Sequence, residues 1–161
     1  MQPLSSVSLV ENRKAMTATT RILLVDDHPI VREGLRTVLQ RHAGWEVVGE
    51  AANGVEALEQ AERLRPDVIV LDVTMPRLNG LEVCRLARQK IPATEILFVT
   101  QHDSPYMMKE ALNAGAKGYV VKSNAARDLV HAIEEVSQHR TFTALARPES
   151  GGPSNPAAPV L

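Results

Sequence analysis

Val68-Ile69-Val70-Leu71 is the stretch whose reading decides the fold: four apolar residues in a row, preceded by Pro66 and closed by Asp72. A strand with one face in water alternates apolar and polar residues, whereas this one is apolar at every position. It is therefore buried on both faces and belongs inside a parallel sheet. Similar runs flank it. Ile22-Leu23-Leu24-Val25 ends in Asp26-Asp27, Ile96-Leu97-Phe98-Val99 ends in Thr100, and Tyr119-Val120-Val121 ends in Lys122. Trp45 to Gly49 reads as a further strand.

Between these runs the apolar period changes to that of a helix. Val31, Leu35, Val38 and Leu39 share one face of a segment opened by Pro29. Val55 to Leu64, Leu81 to Lys90, and Pro105 to Asn113 before Gly115 read as three more helices. A last helix places Leu129, Ile133 and Val136 together, with Asn124 as its candidate cap. Five βα units imply an α/β fold, a doubly wound five-stranded parallel sheet with helices on both faces. In such sheets chemistry sits beyond the carboxyl ends of the strands.

Composition narrows the function classes. Of 161 residues, 44% are hydrophobic and 23% charged, which is enough apolar material for an ordinary core. Aromatic residues are only 3%, too few for a base-stacking platform or an aromatic sugar groove. The formal net charge is −1, so phosphate backbones and anionic membranes exert no general attraction. Cys84 is the single cysteine, which excludes an internal disulfide and a cysteine-based zinc site. It reads as a small core residue on the third helix, and Met107-Met108 as packing on the fourth. No apolar run approaches the roughly 20 residues needed to span a bilayer, and the N-terminus lacks the pattern of an export signal, so a cytoplasmic location is expected.

The strand ends bring Asp26, Asp27, Asp72, Thr100 and Lys122 to one rim. Clustered carboxylates repel one another unless a cation intervenes, and Mg²⁺ suits oxygen donors that must leave room for water and a phosphoryl oxygen. One of those carboxylates can then offer its other oxygen as a nucleophile. Taken singly, Asp26-Asp27 reads first as a solvated turn, Lys122 as a surface lysine and Thr100 as a β-favouring residue. Asp72 is harder to dismiss, because a carboxylate closing a buried strand is costly without a partner. His28, beside the acid pair, reads as a residue opening the first helix rather than a ligand or base. Gly80, Gly115 and Gly118 read as turn or cap glycines.

Three stretches now stand in order: Val25-Asp26-Asp27-His28-Pro29-Ile30-Val31-Arg32-Glu33-Gly34-Leu35, then Asp67 to Pro76 with Gly80, then Ala114-Gly115-Ala116-Lys117-Gly118-Tyr119-Val120-Val121-Lys122. Together they resemble the receiver domain of bacterial two-component response regulators, of the NarL/FixJ branch, over roughly residues 21 to 137. The resemblance implies a flavodoxin-like sheet of order 2-1-3-4-5. It implies that Asp72 accepts a phosphoryl group from a histidine kinase and loses it by hydrolysis, a self-catalysed switch rather than a conventional enzyme. It also implies that Asp27, Asp72 and the Thr74 backbone carbonyl hold Mg²⁺, with Asp26 helping through water. Lys122 would contact the phosphoryl group, Thr100 would hydrogen-bond it, and Tyr119 would move inward with Thr100. The output face would be the fourth helix, fifth strand and fifth helix, carrying Lys109, Tyr119 and Arg127, where a homodimer or protein target docks. Ser123 stands where many relatives have proline, and Gln101 and His102 follow the switch threonine where many have a small residue.

An alternative is that the chain is the receiver part of a truncated NarL/FixJ-type DNA-binding transcription regulator, with Gln138 to Ala144 as the start of its connector. By itself the chain offers no basic stripe for nucleic acid. A haloacid-dehalogenase-like phosphohydrolase would need a second aspartate where Thr74 stands, and a flavodoxin-like electron carrier would need flavin-sandwiching aromatics. Residues 1–20 read as a mobile extension, with Met16 as a possible start, and residues 138–161 as a connector remnant and a Pro-rich disordered tail.

Overall fold

A computed structural model of the chain describes residues 19–75 and 77–145; the extension up to residue 18, with Met16, and the Pro-rich tail from 146 lie outside the described residues. The chain runs β1 (Thr20–Val25), α1 (Pro29–Gln40), β2 (Trp45–Ala51), α2 (Gly54–Leu64), β3 (Val68–Leu71), α3 (Gly80–Lys90), β4 (Glu95–Thr100), α4 (Pro105–Asn113), β5 (Gly118–Val121), a 3₁₀ turn (Lys122–Asn124), α5 (Ala125–Ser137) and β6 (Phe142–Ala144). The sheet is parallel with order β2-β1-β3-β4-β5-β6.

The apolar strands are buried on both faces, and their alternate residues feed two cores. Leu23, Val25, Ile69, Leu71, Ile96, Phe98, Tyr119 and Val121 pack with Ala57, Ala61, Val83, Cys84, Ala87 and Ala111, which places α2, α3 and α4 on one side. Ile22, Leu24, Val68, Val70, Leu97, Val99 and Val120 pack with Leu35, Leu39, Leu129, Ile133 and Val136, which places α1 and α5 on the other. Alternation along a strand forces this division, because successive side chains point to opposite faces. Val31 and Val38 pack at the margin of the second core, so the expected stripe of α1 is the one observed.

Helix starts follow their cap chemistry. Asn53, Asn79 and Ser104 accept the amides of Glu56, Glu82 and Met107. Asn124 occupies the corresponding position before α5 but makes no side-chain cap, because the 3₁₀ turn takes the chain into the helix with the Ala125 amide on the Lys122 carbonyl.

Strand bounds and strand number also depart from the sequence expectation. Strand β2 runs two residues further, to Ala51. Among the described residues the sheet has six strands rather than five, because part of the stretch read as connector returns as β6 and pairs with β5, Gly118 opposite Phe142 and Tyr119 opposite Thr143. At three residues it is too short to carry a readable period.

Candidate functional site

The registers Val25 opposite Leu71, Leu71 opposite Phe98, and Thr100 opposite Val121 align the strand ends, so the residues that follow meet on one rim. The backbone continues the ladder one step past β1 and β3: the Asp26 amide donates to the Ala51 carbonyl at 3.1 Å and the Asp72 amide to the Val25 carbonyl at 3.2 Å. Both carboxylates are thereby held at fixed height and almost wholly buried, Asp26 at 1% and Asp72 at 3% exposure. Gly80 brings the start of α3 against this loop. A Cβ there would lie 2.2 Å from the Asp72 carbonyl oxygen, so only glycine permits the approach.

Lys122 reaches between the two carboxylates, its Nζ 2.8 Å from Asp26 Oδ2 and 3.1 Å from Asp72 Oδ2. Burial pushes the Asp72 carboxyl above its ordinary range; the Lys122 charge and hydrogen bond pull it back without fully offsetting that effect. Burial also disfavours the Lys122 ammonium, but its bonds to Asp26 and Asp72 outweigh this and raise it. Asp72 Oδ1 receives a long bond, 3.4 Å, from the Thr74 amide.

Asp27 is less buried and its Oδ1 lies 3.1 Å from His28 Nδ1, which is also 3.1 Å from Asp26 Oδ1. His28 does open α1, and its ring and backbone amide both contact the acid pair. The Arg32 guanidinium, held by Glu50, bonds the Asp26 carbonyl. These contacts depend on how the loop after β1 turns, which residue spacing does not reveal.

Candidate ligand atoms of Asp26, Asp27, Asp72 and His28 all lie within 4.8 Å of one another. Asp26 Oδ2 and Asp27 Oδ1 are buried without a well-aligned hydrogen bond, although a nitrogen lies close to each. Three clustered carboxylates, two of them with an oxygen that lacks a well-aligned donor, fit a hard divalent cation.

Thr100 is fully buried, and its hydroxyl accepts the His102 amide at 3.3 Å. Tyr119 is fully buried as well. Its hydroxyl donates to the His102 carbonyl at 2.6 Å, and burial, with Asp103 and Asp72 nearby, pushes its pKa to about 12. The ring thus lies inside, not on the outer face, where Lys109 and Arg127 are exposed. His102 Nε2 lies 2.8 Å from Thr74 Oγ1, so one residue touches the loop after β3, Thr100 and Tyr119. In the sequence His102 stood out only as a residue that follows Thr100.

The profile described as the response regulator receiver domain matches residues 22–134. The chain belongs to the response regulator receiver family. This receiver is 36% identical over 114 residues to the transcriptional regulatory protein YdfI of Bacillus subtilis, a match covering 71% of this chain and 53% of that protein. It is 40% identical over 122 residues to the DNA-binding transcriptional activator DevR/DosR of Mycobacterium tuberculosis, covering 76% of this chain and 56% of that protein. The receiver therefore spans about half the length of these curated relatives.

Among solved structures, a LuxR-family two-component response regulator from Aurantimonas sp. SI85-9A1 superposes with a TM-score of 0.75 at 44% identity, over 78% of this chain and 89% of that one. The isolated REC domain of RcsB from Salmonella enterica serovar Typhimurium, in the presence of phosphomimetic BeF3-, gives 0.73 at 26% identity, over 78% and 94%. Among the described residues of the receiver no helix is long and apolar enough to cross a membrane.

Proposed function

We propose that the chain is a phosphorylation-dependent signalling switch that takes a phosphoryl group from a sensor histidine kinase onto Asp72. The observation that carries this reading is the placement of Asp72, buried at a strand end with Lys122 on one of its carboxylate oxygens. In the reaction Asp72 Oδ1 forms a bond to phosphorus as the bond from phosphorus to the kinase imidazole nitrogen breaks, and the electron pair leaves with the imidazole. Lys122 offsets charge on the transferring oxygens without changing its own protonation, since the neighbouring carboxylates keep it charged. Hydrolysis later adds water at phosphorus and returns the carboxylate. Asp27, Asp72 and the Thr74 carbonyl would hold Mg²⁺, with Asp26 helping through water, and the ion would supply further charge neutralisation there.

Output rests on Thr100 turning its hydroxyl from the His102 amide to the new phosphoryl oxygens. That would disturb His102, which also holds the Tyr119 hydroxyl, and so change the face made by α4, β5 and α5. A homodimer or protein target would dock there, in the cytoplasm. The intact mass of the chain after incubation with a small phosphodonor and Mg²⁺ tests the reading. It should rise by one phosphoryl group in the wild type and not in Asp72→Asn; a gain in the variant at the wild-type rate would overturn the assignment.

The length of the relatives favours a second, compatible reading: this receiver is part of a NarL/FixJ-type DNA-binding transcription regulator. Coding DNA that continues for about 60 residues, enough for a compact helical module, would support it.

A further inference from the structure

Gly is the usual residue where a helix ends in a left-handed turn, because a side chain there strains the backbone. At the end of α5 that position is His139, with φ +66°. The turn is complete: the His139 amide donates to the Val136 carbonyl at 2.9 Å and the Arg140 amide to the Glu135 carbonyl at 2.9 Å. A histidine in this strained conformation does something glycine cannot. Its Nδ1 lies 2.5 Å from Glu95 Oε2, 44 residues earlier in the chain.

Glu95, at the start of β4, is 3% exposed. Its other oxygen, Oε1, takes Arg88 of α3 at 3.1 Å, and the same Arg88 nitrogen donates to the Thr94 carbonyl at 2.7 Å. Each oxygen of one buried carboxylate therefore has its own cationic or ring partner, one from the domain body and one from the segment leaving α5. The His139 side chain is 64% exposed, so it can leave into water while Arg88 keeps the carboxylate paired. Three residues on, Phe142 begins β6 with its amide on the Lys117 carbonyl at 3.0 Å; its ring packs on the α5 side, and Leu145 packs on the other.

We propose that His139 and Glu95 form a latch that holds Phe142–Ala144 as a detachable sixth strand on the edge of β5. Latched, β6 covers the edge beside Tyr119 and fixes where the chain leaves the sheet. Unlatched, the sheet ends at β5, and the face made by α4, β5 and α5 gains an open row of backbone donors and acceptors. The latch stands apart from the phospho-acceptor reading, since none of its groups touches the acidic rim.

Hydrogen exchange on His139→Gly and His139→Asn tests it. Both residues tolerate the left-handed turn and neither reaches Glu95, so the helix end is kept and the latch alone is lost. The expected result is exchange at residues 142–144 faster by about tenfold or more, from loss of a hydrogen bond to a charged group, with α5 unchanged and phosphoryl uptake at Asp72 intact. Unchanged or stronger protection of 142–144 in the glycine variant would show that His139 is only a helix terminator, and would overturn the proposal. Loss of protection across α5 as well would place the effect in the turn and overturn it equally.

Discussion

Asp72 is subject to two opposed influences, burial raising its pKa and Lys122 lowering it, and burial prevails. A carboxyl raised in the folded state contributes stability below its unfolded value of 3.8, and that contribution is lost as pH rises through the folded value. At neutral pH the ionised side chain is therefore a burden on the fold. Asp72→Asn should be more stable there by on the order of 1 kcal/mol, and the gap should close as pH falls towards 3.8. Thermal melts across that range check this, and a variant that melts lower at neutral pH would contradict it. Lys122→Ala has the opposite sign. It leaves two buried carboxylates without their shared cation and should cost about 3 kcal/mol or more in denaturant unfolding. At this scale the sequence showed which residue types stand at the strand ends but not which atoms touch. Asp72 and Lys122 were legible because each closes an apolar run. The contacts of His28 with the acid pair and of His102 with Thr74 depend on loop paths that no periodicity encodes.

Strands and helices set how tightly the rim is built. The start of α3 presses on the loop after β3 through Gly80, where an added methyl would meet the Asp72 carbonyl and the Val73 Cα. Gly80→Ala should destabilise by about 2 kcal/mol through overpacking and slow phosphoryl uptake, as measured by chemical unfolding and intact mass. Uptake at the wild-type rate would mean that α3 does not position the acceptor. In β4, Thr100→Ala should leave uptake by Asp72 in place while weakening the change in hydrogen exchange between Thr100 and Val136 that a phosphoryl mimic produces. Protection changes confined to α1 and α2 would place the switch elsewhere. Elements long enough to show a period were legible, as α4 from Pro105 to Asn113 illustrates. Strand β6 was not, because three residues fit any pattern and its place depends on the turn at His139 and on Glu95 across the sheet. The Asn124 cap failed for a related reason: a favourable residue type stood at the right position, but the local 3₁₀ turn used the backbone instead.

For the molecule as a whole, the concentration of acid on one rim matters more than the net charge of −1. A cation bound only by the folded rim stabilises the fold by mass action. The wild type should melt a few degrees higher with Mg²⁺ than with a chelator, and Asp27→Ala should remove that difference; an Mg²⁺ effect that survives in the variant would count against the site. With so little net charge and no basic stripe, the chain alone should not retain duplex DNA at physiological ionic strength, and salt-sensitive retention would refute this.

Cys84 lies with no exposed surface between α3 and the sheet, its Sγ 3.5 Å from the Ala114 carbonyl, and burial pushes its thiol to about 12 despite Arg88 and Arg85 nearby. Since the thiolate is the reactive form, alkylating reagents can reach this sulfur only when the fold opens. Its modification rate is then an intrinsic clock for global opening. A cysteine introduced at exposed Thr143 could carry a fluorophore or spin label while the native thiol stays silent, so the edge strand can be observed in an otherwise unaltered molecule.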